Sequence, residues 1–214
     1  MILIPRLYAI VDSTPHESTQ HLVRYAQQLV AAGCTLLQYR NKSGDARLML
    51  EQARELRRLT RAEAPAPHMP APSVCLIMND RADLCLAAEF DGVHVGQDDL
   101  SPESVRKIIG PDRWLGVSTH NPEQLSEADL TSADYVAIGP VFATSSKEKP
   151  DPVVGLEGVR RARALTRKPL VAIGGITRAN AASVIEAGAD SVAVISDLLR
   201  EPRKSAEEFL RILR

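Results

Sequence analysis

The stretch IMNDRADLCLAAEFDGVHVGQDD, residues 77–99, holds two apolar runs that read as buried strands. Each stops on acids: Asp80 after the first, and the Asp98–Asp99 pair after the second. Between them RADLCLAA has the spacing of a short helix. Strand, helix and strand in so short a span is the unit of a parallel sheet covered by helices, because such a sheet is buried on both faces and its strands are apolar throughout.

The same alternation extends to both ends of the chain. Strand-like runs precede the quoted stretch at LYAIVD (7–12) and TLLQYR (35–40), and the stretch itself completes VCLIMND (74–80) and contains GVHVG (92–96). WLGVSTH (114–120), YVAIGPVF (135–142), LVAIGG (170–175) and SVAVIS (191–196) follow. Apolar residues at three- and four-residue steps, such as Leu22, Ala26, Leu29 and Val30, or Ala206, Phe209, Leu210 and Leu213, mark amphipathic helices between and after them. Eight strands and eight helices in 214 residues predict an α/β fold, a single (β/α)8 TIM barrel spanning 1–214. A doubly wound sheet usually has fewer strands and a G-x-G-x-x-G after the first, and none follows LYAIVD. The proline-rich segment AEAPAPHMPAP (62–72) is expected to be irregular and to lie on the face away from the chemistry.

Composition bounds the function. A net charge of −1 gives no general attraction for nucleic acid, so an anionic ligand must be held by locally placed cations or backbone N–H groups. No apolar run approaches the roughly 18 residues needed to cross a bilayer. The expected partners are therefore small molecules, with neither nucleic acid nor a membrane. Cys34, Cys75 and Cys85 are odd in number and lack C-x-x-C spacing, which fits reduced thiols in a cytoplasmic protein. MILIPRLYAIVD lacks a charged leader region and is broken by Pro5, so no signal peptide is expected.

In a (β/α)8 barrel the reacting groups sit at the C-terminal ends of the strands. Collected there are Asp12; Gln38, Arg40 and Lys42; Asn79 and Asp80; His94, Gln97 and Asp99; Ser118 and His120; Thr144, Ser145, Ser146 and Lys147; Gly174 and Gly175; and Ser196. Cations, two carboxylates on neighbouring strands and small hydroxyl or glycine positions together suggest a diphosphate held through a metal. Mg²⁺ takes one or two carboxylates and completes its octahedron with phosphate oxygens and water, so Asp80 and Asp99 are its candidate ligands. The alternative is that Asp80 caps the helix after it and Asp99 caps the helix at SPESVRKI. The glycines after the seventh strand either help bind a phosphate or only permit a tight turn. GPVFATSSKEKPDPVVG (139–155) is long for a strand-to-helix connection, and Lys147 in it is either functional or merely solvated. His94 and His120 read equally as hydrogen-bonded core or rim histidines. No spacing of His and Cys suggests zinc, and no G-x-S-x-G suggests a serine hydrolase.

With QYRNK, MNDR, GVHVGQDD, GVSTH, GPVFATSSK, AIGGI and VAVIS in this order, the chain resembles the thiamine-phosphate synthase family along almost its whole length. The resemblance implies a transferase on a (β/α)8 barrel with Mg²⁺. It condenses 4-amino-2-methyl-5-hydroxymethylpyrimidine diphosphate with 4-methyl-5-(2-phosphoethyl)thiazole, or its carboxylated precursor, and releases diphosphate in thiamine biosynthesis. It further implies that Gln38, Arg40, Lys42, Asn79 and Lys147 contact the pyrimidine diphosphate and that Asp80 and Asp99 hold Mg²⁺. Ser118 would lie near the join, and Thr144, Ser146, Gly175, Ile195 and Ser196 around the thiazole phosphate. Arg40, Lys42, Lys147 and Ser118 would carry the catalysis, and Asp98 would face away from the metal. Ser146 stands where the family often has a second threonine and keeps its hydroxyl; the proline stretch is longer than usual. Two rivals are a thiazole tautomerase of the same superfamily, with acid–base work at the His120 position, and a barrel that binds thiamine precursors without turnover.

Overall fold

The computed structural model describes residues 2–62, 74–144 and 151–214. Its strands are short, four to six residues each, and nearly every strand position is buried, as expected where both faces are covered. They are β1 (Leu7–Asp12), β2 (Leu36–Arg40), β3 (Cys75–Asn79), β4 (Gly92–Val95), β5 (Trp114–Thr119), β6 (Tyr135–Ile138), β7 (Leu170–Ile173) and β8 (Ser191–Val194). All pair in parallel, each with its sequence neighbours, and β8 returns to β1 to close the barrel. The helices are α1 (Thr19–Ala31), α2 (Ala46–Ala62), α3 (Ala82–Ala87), α4 (Pro102–Ile109), α5 (Pro122–Asp129), α6 (Gly155–Leu165), α7 (Ala181–Glu186) and α8 (Pro202–Ile212), with a 3₁₀ turn at Ser196–Leu198. The (β/α)8 expectation is borne out.

The period-two alternation of the strands sorts their residues into two cores. Leu7, Ala9, Val11, Leu37, Tyr39, Met78, Val93 and Val95 face outward and meet Leu22, Leu29, Leu56 and Phe209 from the helices. Tyr8, Ile10, Leu36, Ile77, Tyr135, Ala137, Val171 and Ala193 fill the barrel. Towards the C-terminal rim the inward positions turn polar, with Asp12, Gln38, Asn79 and His94 all buried.

The predicted strands at 135–142, 170–175 and 191–196 end two or more residues early, the last giving way to the 3₁₀ turn. The run at 135–142 stops at Ile138, since Pro140 has no N–H to give a ladder. That at 170–175 stops at Ile173, where Gly174 and Gly175 turn to φ +100° and +62°. Of the proline-rich segment, Ala62 ends α2 and the rest lies outside the described residues.

The opposite end of the barrel is stapled by a repeated device. Asp91, Asp134 and Asp190 each directly precede an even-numbered strand. Each donates its backbone N–H to a leucine carbonyl of the preceding strand (Leu76, Leu115, Leu170) and accepts that leucine's N–H on its carboxylate at 2.7–2.8 Å. Arg57, Arg106 and Arg163, from the helices α2, α4 and α6 that precede the leucine-bearing strands, pair with the same carboxylates at 2.7–2.9 Å. The clasp satisfies backbone donors where the ladder starts and fixes each helix against its sheet pair.

Candidate active site

Because β3 and β4 are adjacent and parallel, their C-terminal ends deliver Asp80 and the 96–99 turn to one part of the rim. Asp80 sits at φ +63°, a conformation that few residues besides glycine, Asn and Asp adopt readily. Its backbone N–H donates to the His94 carbonyl at 2.8 Å, which ties the end of β3 to β4. Its carboxylate takes a hydrogen bond from Lys42 Nζ at 2.5 Å. Asp99 accepts the Gly96 N–H at 2.7 Å and lies within side-chain hydrogen-bonding reach of Asp80. Partial burial, and next the neighbouring Asp80 charge, hold the Asp99 carboxyl above its ordinary range, while Gly96 N–H and Lys42 work the other way.

Neither acid caps a helix. Ser101 caps α4 by accepting from Ser104 N–H, and Arg81 occupies the N-cap position of α3 with no side-chain cap hydrogen bond. Two carboxylates that face each other without a capping duty form a hard-oxygen donor pair whose mutual repulsion a divalent cation relieves. That donor chemistry fits Mg²⁺. Among the described residues no cluster of three or more His, Cys, Asp or Glu side chains fits a metal, so a cation on this pair would have room for phosphate and water oxygens.

Around this pair the predicted contacts fall into three groups. Arg40, at the end of β2, is paired with the buried Asp12 of β1, whose other oxygen accepts Thr14 N–H at 2.8 Å; the guanidinium is thereby held in place at the rim. Asn79 is buried and its Nδ2 has no hydrogen-bond partner, an expensive state for a donor unless a ligand meets it. Gln38 and Ser118 are engaged from below: Gln38 Nε2 donates to Tyr8 OH at 2.9 Å, and Ser118 Oγ lies 2.8 Å from His94 Nε2. Gln97, across the rim, donates to the Ser118 carbonyl at 2.7 Å.

On the other side, Gly175 is packed against the loop after β6, where an added Cβ would lie 2.5 Å from the Ala143 carbonyl oxygen. Its positive φ and this close approach account for a glycine there without any ligand. Ile195 packs against the barrel interior and Ser196 opens the 3₁₀ turn after β8. Thr144 ends the described part of the β6 loop; Ser145, Ser146 and Lys147 lie outside the described residues.

The two histidines separate cleanly. His94 is buried in the barrel, its Nδ1 3.1 Å from Tyr135 OH, and desolvation lowers its pKa to about 4. His120 is half-buried at the rim, where its Nδ1 donates to the Gly139 carbonyl at 2.6 Å and its Nε2 lies 3.6 Å from Asp151. The cysteines are all free, and burial pushes each thiol up to about 12. No described helix is long and apolar enough to cross a membrane.

The sequence did not single out Asp12 as the holder of Arg40, nor Tyr8 and Tyr135 as polar members of the core. Tyrosines inside apolar runs give no signal of their own; only their inward register, shared with Gln38 and His94, places them together.

A family profile described as "Thiamine monophosphate synthase" matches residues 7–198. A thiamine-phosphate synthase of Koribacter versatilis is 61% identical over 213 residues, covering 98% of this chain and 96% of that one. One from Chloroflexus aurantiacus is 43% identical over 191 residues, 89% and 83% of the two chains. Among solved structures, the thiamine phosphate pyrophosphorylase of Pyrococcus furiosus superposes with a TM-score of 0.83 at 33% identity, covering 97% and 95%.

Proposed function

The chain belongs to the thiamine monophosphate synthase family, and on that premise we propose how its own residues divide the work of the reaction. The activity is that of a thiamine-phosphate synthase, a transferase that moves a pyrimidinylmethyl group from its diphosphate to the nitrogen of a thiazole phosphate.

The observation that carries the assignment of roles is the facing pair of Asp80 and Asp99 with Lys42 on the same acid. In this reading the two carboxylates hold Mg²⁺, which when bound supplies positive charge to the diphosphate oxygens. Arg40, steadied by Asp12, and Lys42 face the same anion, and the unpartnered Asn79 Nδ2 gives it one more donor. Lys147, in the loop after β6, is assigned to it as well. Charge builds on the diphosphate as its C–O bond breaks, so fixed cations at the rim stabilise the transition state more than the ground state. The electron-rich aminopyrimidine supports the cation left behind, and the thiazole nitrogen attacks with its own lone pair. No protein nucleophile or strong base is required, because the thiazole nitrogen brings its own lone pair.

Gln38 and Ser118 orient the pyrimidine end, while Thr144, Ser146, Gly175, Ile195 and Ser196 receive the thiazole phosphate. Holding both substrates face to face removes the entropic cost of their meeting in solution. The tautomerase reading would use Nε2 of His120, since Nδ1 donates to a backbone carbonyl, but it leaves the facing Asp80 and Asp99 and the Lys42 beside them without a task. The test is direct: with both substrates and Mg²⁺, the purified protein releases diphosphate and forms thiamine phosphate in equal amounts, and chelation stops both. Binding of both substrates without either product would leave a non-catalytic barrel.

A further inference from the structure

Four hydrogen bonds cross the barrel beneath the rim. Gln38 Nε2 lies 2.9 Å from Tyr8 OH, Tyr8 OH 2.9 Å from Tyr135 OH, Tyr135 OH 3.1 Å from His94 Nδ1, and His94 Nε2 2.8 Å from Ser118 Oγ. The three middle members are buried, and both ends are residues assigned above to the pyrimidine substrate. The space is reserved for this chain: a Cβ on Gly116 would lie 2.1 Å from Tyr135 Cζ and 2.5 Å from His94 Nδ1.

Counting protons fixes what such a chain can do. Each phenol has one hydrogen, and burial keeps both phenols protonated. The His94 ring faces a phenol on one nitrogen and a serine hydroxyl on the other, with no carboxylate on either, so it is neutral and carries one N–H. Only two arrangements satisfy every link and also use both phenol hydrogens within the chain. In one, the Gln38 amide nitrogen donates to Tyr8, Tyr8 to Tyr135, Tyr135 to His94 Nδ1, and His94 Nε2–H to Ser118. Gln38 then offers its carbonyl oxygen to the site, and Ser118 its hydroxyl hydrogen. In the other, every bond and the Gln38 amide are reversed, and Gln38 offers N–H while Ser118 offers only lone pairs.

We propose that Tyr8, Tyr135 and His94 are positioning residues that couple the two ends, so that an acceptor at Gln38 and a donor at Ser118 are presented together. The inference rests on the placement of Gln38 and Ser118 at the pyrimidine diphosphate. The first arrangement is the one the reaction uses. An acceptor on the exocyclic amine of an aminopyrimidine draws its N–H and pushes electrons into the ring, while a hydroxyl donor faces the departing oxygen. The same chain disfavours a pyrimidine that presents an acceptor to Gln38, since turning the amide to meet it withdraws the donor at Ser118.

The signature is the His94 tautomer, read by ¹⁵N NMR of histidine-labelled protein at pH 8 and assigned by loss of the signal in His94→Gln. The wild type is expected to be Nε2–H. Gln38→Glu replaces the donor by a carboxylate that only accepts, and is expected to switch His94 to Nδ1–H across three intervening hydrogen bonds. Tyr8→Phe, which does not touch His94, is expected to leave a mixture of tautomers. It should also lower kcat about tenfold with KM for the pyrimidine diphosphate changed less than about threefold, because it alters the polarity of contacts rather than their number. If neither substitution moves the tautomer, the coupling is refuted. The NMR measurement needs no substrate, so it stands apart from the synthase assay: loss of diphosphate release in the wild type would overturn the functional reading and leave the tautomer result intact.

Discussion

Replacing Asp80 or Asp99 by asparagine removes charge and little else. Asparagine tolerates the φ +63° of position 80, and at position 99 its carbonyl can accept the Gly96 N–H that Asp99 now accepts at 2.7 Å. Two unit charges about 4 Å apart repel by roughly 1 kcal/mol in water and about 4 kcal/mol at an effective dielectric of 20. Asp99 is exposed at the rim and Lys42 already offsets Asp80, so the lower figure applies. Asp99→Asn, which ends the repulsion and keeps the Lys42–Asp80 pair, is expected to stabilise the metal-free protein by about 0.5–1 kcal/mol. Asp80→Asn also loses that pair, worth at most about 1 kcal/mol with Lys42 half exposed, and should change stability little.

Both substitutions are expected to cut diphosphate release by at least about 100-fold, the scale for losing one electrostatic contact to a transition state. The Asp99 carboxyl is raised in the folded protein, so its stabilising contribution is present at low pH and lost as pH rises through its folded value. The gain from Asp99→Asn should therefore be full at pH 8 and shrink towards pH 4. Urea midpoints in chelator and initial rates with saturating Mg²⁺ measure the two effects separately. A variant that unfolds more easily yet turns over at the wild-type rate would refute the assignment, because it would make the acids structural.

Three further outcomes follow from single groups. Asn79→Ala removes a buried donor that has no protein partner, so it should cost under about 1 kcal/mol in urea while raising KM for the pyrimidine diphosphate about 10–100-fold; an unchanged KM would show that the amide meets no substrate. Burial depresses His94 from 6.5 to about 4, so its contribution is present above pH 6.5 and lost as pH falls towards 4, on the order of 3 kcal/mol. Urea midpoints from pH 7 to 4 should show that loss in the wild type and a shallower one in His94→Gln. The three thiols, pushed up to about 12, should resist a thiol reagent at pH 8 until urea unfolds the chain; fast native labelling of Cys34 or Cys85 would contradict their burial.

What could be read from the sequence was whatever depends on local order. LYAIVD, VCLIMND and SVAVIS declare strands by composition, and parallel strands bring all their C-terminal ends to one rim, so Gln38, Asn79, Asp80, Asp99 and Ser118 could be gathered before any contact was known. What could not be read depends on closure. Tyr8 and Tyr135 meet across 127 positions only because β8 pairs with β1 and the stagger of eight strands brings both rings to one level. The clasps at Asp91, Asp134 and Asp190 recur as an acid before each of three even strands, yet their partners are backbone groups of the previous strand, which no side-chain pattern announces. Gly116 shows the difference most plainly. In GVSTH it looks like one more small residue in a strand, where glycine weakens the ladder. Its place is set by Tyr135 and His94, which need the volume a side chain would fill, and by Ser118 two positions on, which receives the end of the chain they form. A motif glycine in a barrel strand can thus be a functional position with no atom of its own in the site, since what it contributes is room for the hydrogen bonds that orient those that do.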